Sequence, residues 1–177
     1  ILGNAFATSA EPGIVMVSRD ANQNGIADDR WYEIAGSEYA RSTQNYEITY
    51  YRPEADKDTL KELKEYIRWS DNQGNSGWVS KNATHLQGYY PAWIDADSLT
   101  FKGTLLPTNS IDKNGDGSYF ELKPYEWGYA DNQPNSNEAG CSIDLDWAVD
   151  NAGNAIELEA IDFIRIHTAI NAVDLGQ

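Results

Sequence analysis

Hydrophobic alternation with a period of two, cut at short intervals by Asx-Gly steps, is the feature that most limits what this chain can become. The plainest stretch is residues 141–149, where Cys141, Ile143, Leu145, Trp147 and Val149 fall on one side and Ser142, Asp144, Asp146 and Ala148 on the other. That period belongs to a strand with one buried and one wet face. Further strands are expected at residues 14–17, 31–34, 46–51, 92–96, 99–106, 119–122 and 156–160. Residues 161–166 are nearly continuous in apolar character and read as a central strand covered on both faces. Asn24-Gly25, Gly74-Asn75, Asn114-Gly115, Asp116-Gly117 and Asn151-Ala-Gly153 supply the turns between them.

One segment has helical spacing. In residues 58–67, Leu60, Leu63 and Ile67 line a single face and Asp58 is placed to cap the first turn. Many short strands and one short helix predict an all-β fold: an antiparallel two-sheet sandwich of jelly-roll type. No linker, low-complexity segment or composition shift divides the chain, so residues 1–177 read as a single domain. Aromatic residues make up 12% of it, including 6 Trp and 11 Tyr, which suits pleated surfaces better than helices.

Charge narrows the partners. With 28 Asp plus Glu against 13 Lys plus Arg, the net charge of -15 repels phosphate backbones and anionic lipid, so nucleic acid is not an expected partner. Cys141 is the only cysteine, which excludes an internal disulfide, and it reads as a small buried hydrophobe. No stretch approaches the ~18 apolar residues of a membrane-spanning helix. The chain opens at Ile1-Leu-Gly-Asn4 without an initiator Met, so an upstream targeting segment is expected.

The segment Asp20-Ala-Asn-Gln-Asn-Gly-Ile-Ala-Asp-Asp29 carries the sharpest chemical signal. Calcium takes six to eight oxygens, and a tight loop supplies them when oxygen-bearing side chains alternate and a glycine forces the bend. Asp20, Asn22 and Asn24 occupy the first, third and fifth positions, Gly25 makes the turn, Ile26 offers its carbonyl and Asp28 takes the ninth. An EF-hand would place a bidentate Glu at the twelfth position, where this chain has Trp31 at the start of an expected strand. The reading is therefore an EF-like calcium loop on a β scaffold, completed by water or by Asp29 or Glu33. The plain alternative is an Asx-rich turn without metal. Asp112, Asn114 and Asp116 repeat the first three spacings without a later acid, so a second metal loop and an ordinary hairpin are equal readings there. Asp71-Asn-Gln-Gly-Asn75 and Asp131-Asn-Gln-Pro-Asn135 echo each other and are explained as well by loop hydrogen bonds as by a cation.

Catalysis finds little support. His85 and His167 have no Cys or His at metal-ligand spacing, and there is no Gly-x-Ser-x-Gly elbow. A glycosidase pair such as Asp144 and Asp146 reads more simply as the wet side of a strand. Trp69, Trp78, Tyr90, Trp93 and Trp127 flank polar loops and are candidates for stacking on a sugar or another flat ligand, although core packing is the default for each.

Several blocks in order look familiar together: Gly3-Asn-Ala-Phe6, Glu11-Pro-Gly-Ile14, the Asp20 loop leading to Trp31-Tyr-Glu33, Gly36-Ser-Glu-Tyr39, Thr49-Tyr-Tyr-Arg-Pro53, Tyr90-Pro-Ala-Trp-Ile94, Trp127-Gly-Tyr-Ala-Asp-Asn132 and Ile161-Asp-Phe-Ile164. They resemble a family of bacterial cell-surface, PKD-associated proteins of gut bacteria, encoded near outer-membrane nutrient uptake systems. The resemblance implies extracellular display through a lipid anchor and capture of a nutrient, a glycan or a cobamide, within an uptake complex. It also implies further strands before Gly3 and continuation after Asn171, and it carries over no catalytic residues. The expected function is thus a non-enzymatic, calcium-stabilised surface binding module. A carboxylate-dependent glycoside hydrolase and a structural or adhesion domain without small ligand are the alternatives.

Overall fold

The computed structural model describes residues 1–54, 62–82 and 87–168. Within them the chain is all-β and antiparallel, of sandwich character, with one short helix. These strand orders define the class; they do not define a jelly-roll winding. The chain divides into two compact units, Ile1–Thr43 with Thr104–Gln177, and Gln44–Gly103.

The first unit is organised around β1 (Gly13–Ser18), which lies between β10 (Phe163–Thr168) and β2 (Trp31–Ile34), with β9 (Ala148–Val149) beyond β2. Its Gly-Ile-Val-Met-Val-Ser sequence puts apolar side chains on both faces. Ile14 packs with Leu106, Tyr125 and Tyr129 on one side, whereas Val15 and Val17 pack with Ile34, Ala130 and Ala148 on the other. All three aliphatic residues are 1% exposed, so β1 holds the doubly covered position expected of residues 161–166. The strand at β10 lies instead at the end of the sheet order, and Ile164 and Ile166 are 57% and 49% exposed. A continuous apolar run does not reveal whether cover exists on both sides, which is why residues 161–166 read as central although β10 ends the sheet order. Gly36 permits a close approach beside this core: a Cβ there would lie 2.5 Å from the buried Tyr129 ring.

Residues 141–149 do not form the expected strand. They pass from α1 (Glu138–Cys141) through a 3-10 turn at Leu145–Trp147 into the two-residue β9. Local caps explain the break, because Asn137 accepts from Gly140 N at 3.1 Å and Asp144 from Asp146 N at 3.0 Å, offering the backbone partners outside a ladder. The alternation of burial survives: Ile143, Leu145 and Trp147 still pack against the core formed around Val15. Residues 156–160 are likewise not a strand, although Ile156 N donates to Ala148 O at 2.9 Å and Leu158 packs inward. A hairpin of β7 (Ser110–Asp112) and β8 (Phe120–Leu122) completes this unit.

The second unit is a sheet in the order β5-β4-β3-β6, built from β3 (Thr43–Tyr51), β4 (Leu63–Asp71), β5 (Ser76–Lys81) and β6 (Ser98–Leu105). The helix expected over residues 58–67 is replaced from Leu63 onward by β4, and Asp58 and Leu60 lie outside the described residues. The register of β4 against β5 shifts between Leu63 and Ile67. Such a bulge resets the alternation. Tyr66 and Ile67 are consequently both buried, and the spacing of Leu63, Tyr66 and Ile67 imitates a helix face. Residues 92–96 form a turn in place of the expected strand, with Arg52 donating to Ile94 O and, at 3.1 Å, to Ala96 O.

Candidate metal-binding loop

The Asp20 segment is the connection between β1 and β2. Its stem is tied on three sides. Buried Ser18 donates through Oγ to Arg30 O at 2.9 Å, Asp162 N donates to Ser18 O at 2.9 Å, and Asp20 N donates to the Asp162 carboxylate at 2.8 Å. From this stem the chain folds back on itself. Asp20 accepts from Asn24 N at 3.0 Å and from Gly25 N at 2.8 Å, Asn22 Oδ1 accepts from Asn24 N at 3.0 Å, and Asn24 Oδ1 accepts from Ile26 N at 2.7 Å. Gln23 and Gly25 take positive φ of 58° and 73°, the second at the position where a glycine is the inexpensive choice.

Asp28 closes the loop from the other end. Its carboxylate accepts from Asn22 Nδ2 at 3.3 Å and from Asn24 Nδ2 at 3.2 Å. Side chains of Asp20, Asn22, Asn24 and Asp28, assigned from spacing alone, are therefore drawn together. The Ile26 carbonyl accepts from Asp28 N at 2.9 Å, while the Ile26 side chain is 58% exposed. A carbonyl oxygen carries two lone pairs, so one hydrogen bond does not exhaust it. The amide nitrogens of Asn22 and Asn24 thus face Asp28, while their Oδ1 atoms hold the Asn24 and Ile26 N–H groups and each keep a second lone pair. The loop gathers two carboxylates, two side-chain amides and a main-chain carbonyl in one short segment, and every oxygen among them is a hard donor. Among the described residues no three His, Cys, Asp or Glu converge, and a loop of this kind draws on amide and main-chain oxygens instead.

The two residues considered as additional ligands separate. Asp29 stays in the loop and accepts from Ala21 N at 3.0 Å. Glu33 points elsewhere, accepting from Thr104 Oγ1 at 2.6 Å, and burial raises its pKa against the opposing effect of that hydrogen bond.

The Asp112 loop joins β7 to β8 and begins in the same way. Asp112 accepts from Asn114 N at 3.1 Å, Gly115 N at 2.9 Å and Gly117 N at 2.7 Å. It then diverges, because Asn114 Nδ2 donates to Ser118 Oγ at 2.9 Å and Asp116 accepts from Ser118 N at 2.9 Å. Hydrogen bonding from the Ser118 side chain to Asp116, and then from the Ser118 N–H, lowers the Asp116 pKa.

A pair of turns that the sequence reading did not match has one geometry. Asp71-Asn-Gln-Gly-Asn75 and Asp150-Asn-Ala-Gly-Asn154 each close with the Asp N donating to the Asn O at 2.9 Å and with a positive-φ glycine fourth in line. Asp71 Oδ1 accepts from Gln73 N and Asn75 N, and Asp150 Oδ1 from Ala152 N and Asn154 N. The common signal, Asp-Asn-x-Gly-Asn, was legible in the letters. Asp131, which looked like the partner of Asp71, instead receives Asn4 N at 2.7 Å and Ala5 N at 2.9 Å, while Asn132 is buried and bonded to Tyr125.

The candidate stacking aromatics are not brought together. Trp93 and Trp78 are 84% and 43% exposed, whereas Tyr90 is a core residue whose hydroxyl donates to Ala96 O at 2.8 Å. Trp69 lies over Gly77, and Trp127 stacks on Trp147 with ring centroids 4.4 Å apart. His167 is in β10 beside Thr168 O at 3.1 Å, His85 lies outside the described residues, and Cys141 is buried.

Fold and loop together define an all-β protein with an Asx-rich, self-bonded loop between β1 and β2. No family model and no curated protein matches the chain.

Proposed function

We propose that the chain is a non-enzymatic, calcium-stabilised binding module of a cell surface. The single observation that carries this reading is the inward convergence of Asp20, Asn22, Asn24 and Asp28 on a tied stem. Asp20 and Asp28 supply the charge, the amide oxygens of Asn22 and Asn24 each add a second lone pair beside their bond to a main-chain N–H, and the Ile26 carbonyl and water complete the shell. Placing two carboxylates close together costs electrostatic energy in an acidic protein, and a divalent cation offsets it. The cation also links β1 to β2, so its binding adds to folding stability.

Surface display through a lipid anchor and capture of a glycan or cobamide follow from the resemblance drawn on the sequence blocks. The two exposed indoles, Trp78 and Trp93, support the binding part, because large aromatic rings left in water on a braced scaffold are ready contact surface. Thermal unfolding in millimolar calcium and in excess EDTA tests the metal part. A ligand at about 100 times its Kd adds roughly 2.7 kcal/mol, worth a shift of several degrees for a chain of this size. Midpoints that coincide in the two buffers refute calcium stabilisation.

A further inference from the structure

In the second unit, one sheet face combines an exposed indole, a held guanidinium and a row of hydroxyls. Arg68 of β4 stands opposite Trp78 of β5, and Thr49 of β3 stands opposite Ser70, so all four side chains project from the same side. The Arg68 guanidinium lies 3.7 Å above the Tyr51 ring, whose hydroxyl is bonded to Ser70 Oγ at 2.9 Å. Thr49 and Thr100 share a hydroxyl hydrogen bond of 2.8 Å, and Lys102 pairs with Glu47 at 2.5 Å on the same side.

We infer that this face binds a sugar chain bearing isolated carboxylates, a uronate-containing oligosaccharide. The inference rests on reading the chain as a binding module and names the ligand class and the surface. Trp78 offers the flat apolar partner that a pyranose ring takes, and the hydroxyls beside it exchange hydrogen bonds with sugar hydroxyls. Arg68 determines the acid. Stacking on Tyr51 restricts the guanidinium of the exposed Arg68, a face-on contact that does not use its edge N–H groups, and no carboxylate among the described residues forms an ion pair with it. A planar donor fork held in place matches a carboxylate bidentately. Charge complementarity is local here, because the net charge of -15 repels dense polyanions. Salt screens that repulsion beyond about 8–10 Å, so a single carboxylate in contact with Arg68 is favoured and a polysulfated or nucleic-acid chain is not.

Titration of the full chain, at saturating calcium and about 0.15 M salt, with a trisaccharide bearing one galacturonate between two neutral sugars and with its carboxyl-reduced counterpart tests the site. The acidic trisaccharide is expected to bind about tenfold more tightly than the neutral one, and Arg68→Gln to erase that preference without abolishing residual binding. Trp78→Ala is expected to weaken both about tenfold. Circular dichroism melts establish that each variant folds, and if Trp78→Ala does not, the Arg68→Gln comparison decides. Equal binding of the two sugars, a preference that survives Arg68→Gln, or no binding of either at millimolar concentration overturns the inference. Equal binding leaves the module reading standing, and the EDTA melt judges the calcium loop independently.

Discussion

Glu33 shows how a side chain can count against the fold at neutral pH. It sits half-buried on β2, where Thr104 is the one donor to its carboxyl among the described residues, and desolvation raises its pKa. A carboxyl whose folded pKa is raised contributes most when protonated, below its ordinary value, and that contribution is lost as pH rises through the raised one. Glu33→Gln keeps an acceptor for Thr104 and removes the buried charge, so at pH 7 it should raise the melting midpoint by about 2–4 °C. The advantage should vanish at pH 4. The opposite sign applies to Asp150, whose carboxylate is stabilised first by Asn154 N and then by the Asn154 amide. Its contribution is present above the ordinary carboxylate range and lost as pH falls through the lowered pKa, so Asp150→Asn should flatten the acid limb of the stability curve. At this scale the closure of the candidate loop was legible: oxygen-bearing side chains at alternate positions around Gly25 specified a loop that hydrogen-bonds to itself. The destination of Glu33 was not, because its neighbour Thr104 is far away in sequence and no local pattern encodes it.

Strands were readable where alternation and burial coincide, as in β3, where Tyr46 and Ile48 are buried and Glu47 and Thr49 are not, and misread where a local device intervenes. The bulge in β4 gave residues 63–67 a helical spacing, and the caps at Asn137 and Asp144 turned residues 141–149 away from a ladder while preserving their alternating burial. Periodicity reports which side chains face inward; it does not report which backbone places them there. The central role of β1 leads to a direct expectation. Ile14 is 1% exposed among Leu106, Tyr125 and Tyr129, so Ile14→Ala should cost about 2–5 kcal/mol in denaturant unfolding. The same change at Ile164, 57% exposed on β10, should cost under about 0.5 kcal/mol. Comparable losses at the two positions would mean that β1 and β10 are equally covered and would contradict this assignment.

For the molecule as a whole, the excess of 28 acidic over 13 basic side chains is a standing electrostatic load that a bound cation reduces. The all-β class was evident from alternation and Asx-Gly turns, whereas the division into two units was not, since no composition shift marks Gln44 or Gly103. Contacts between residues distant in the chain create that boundary, and a single sequence does not spell them out. The central claim is that oxygens of the β1–β2 loop hold calcium. Isothermal titration of calcium into the metal-stripped chain, its Asp28→Ala variant and its Asp112→Ala variant tests it most directly. The prediction is a calcium site that disappears with Asp28→Ala and persists with Asp112→Ala. Calcium binding unchanged by Asp28→Ala, or no binding to the parent chain, would contradict it.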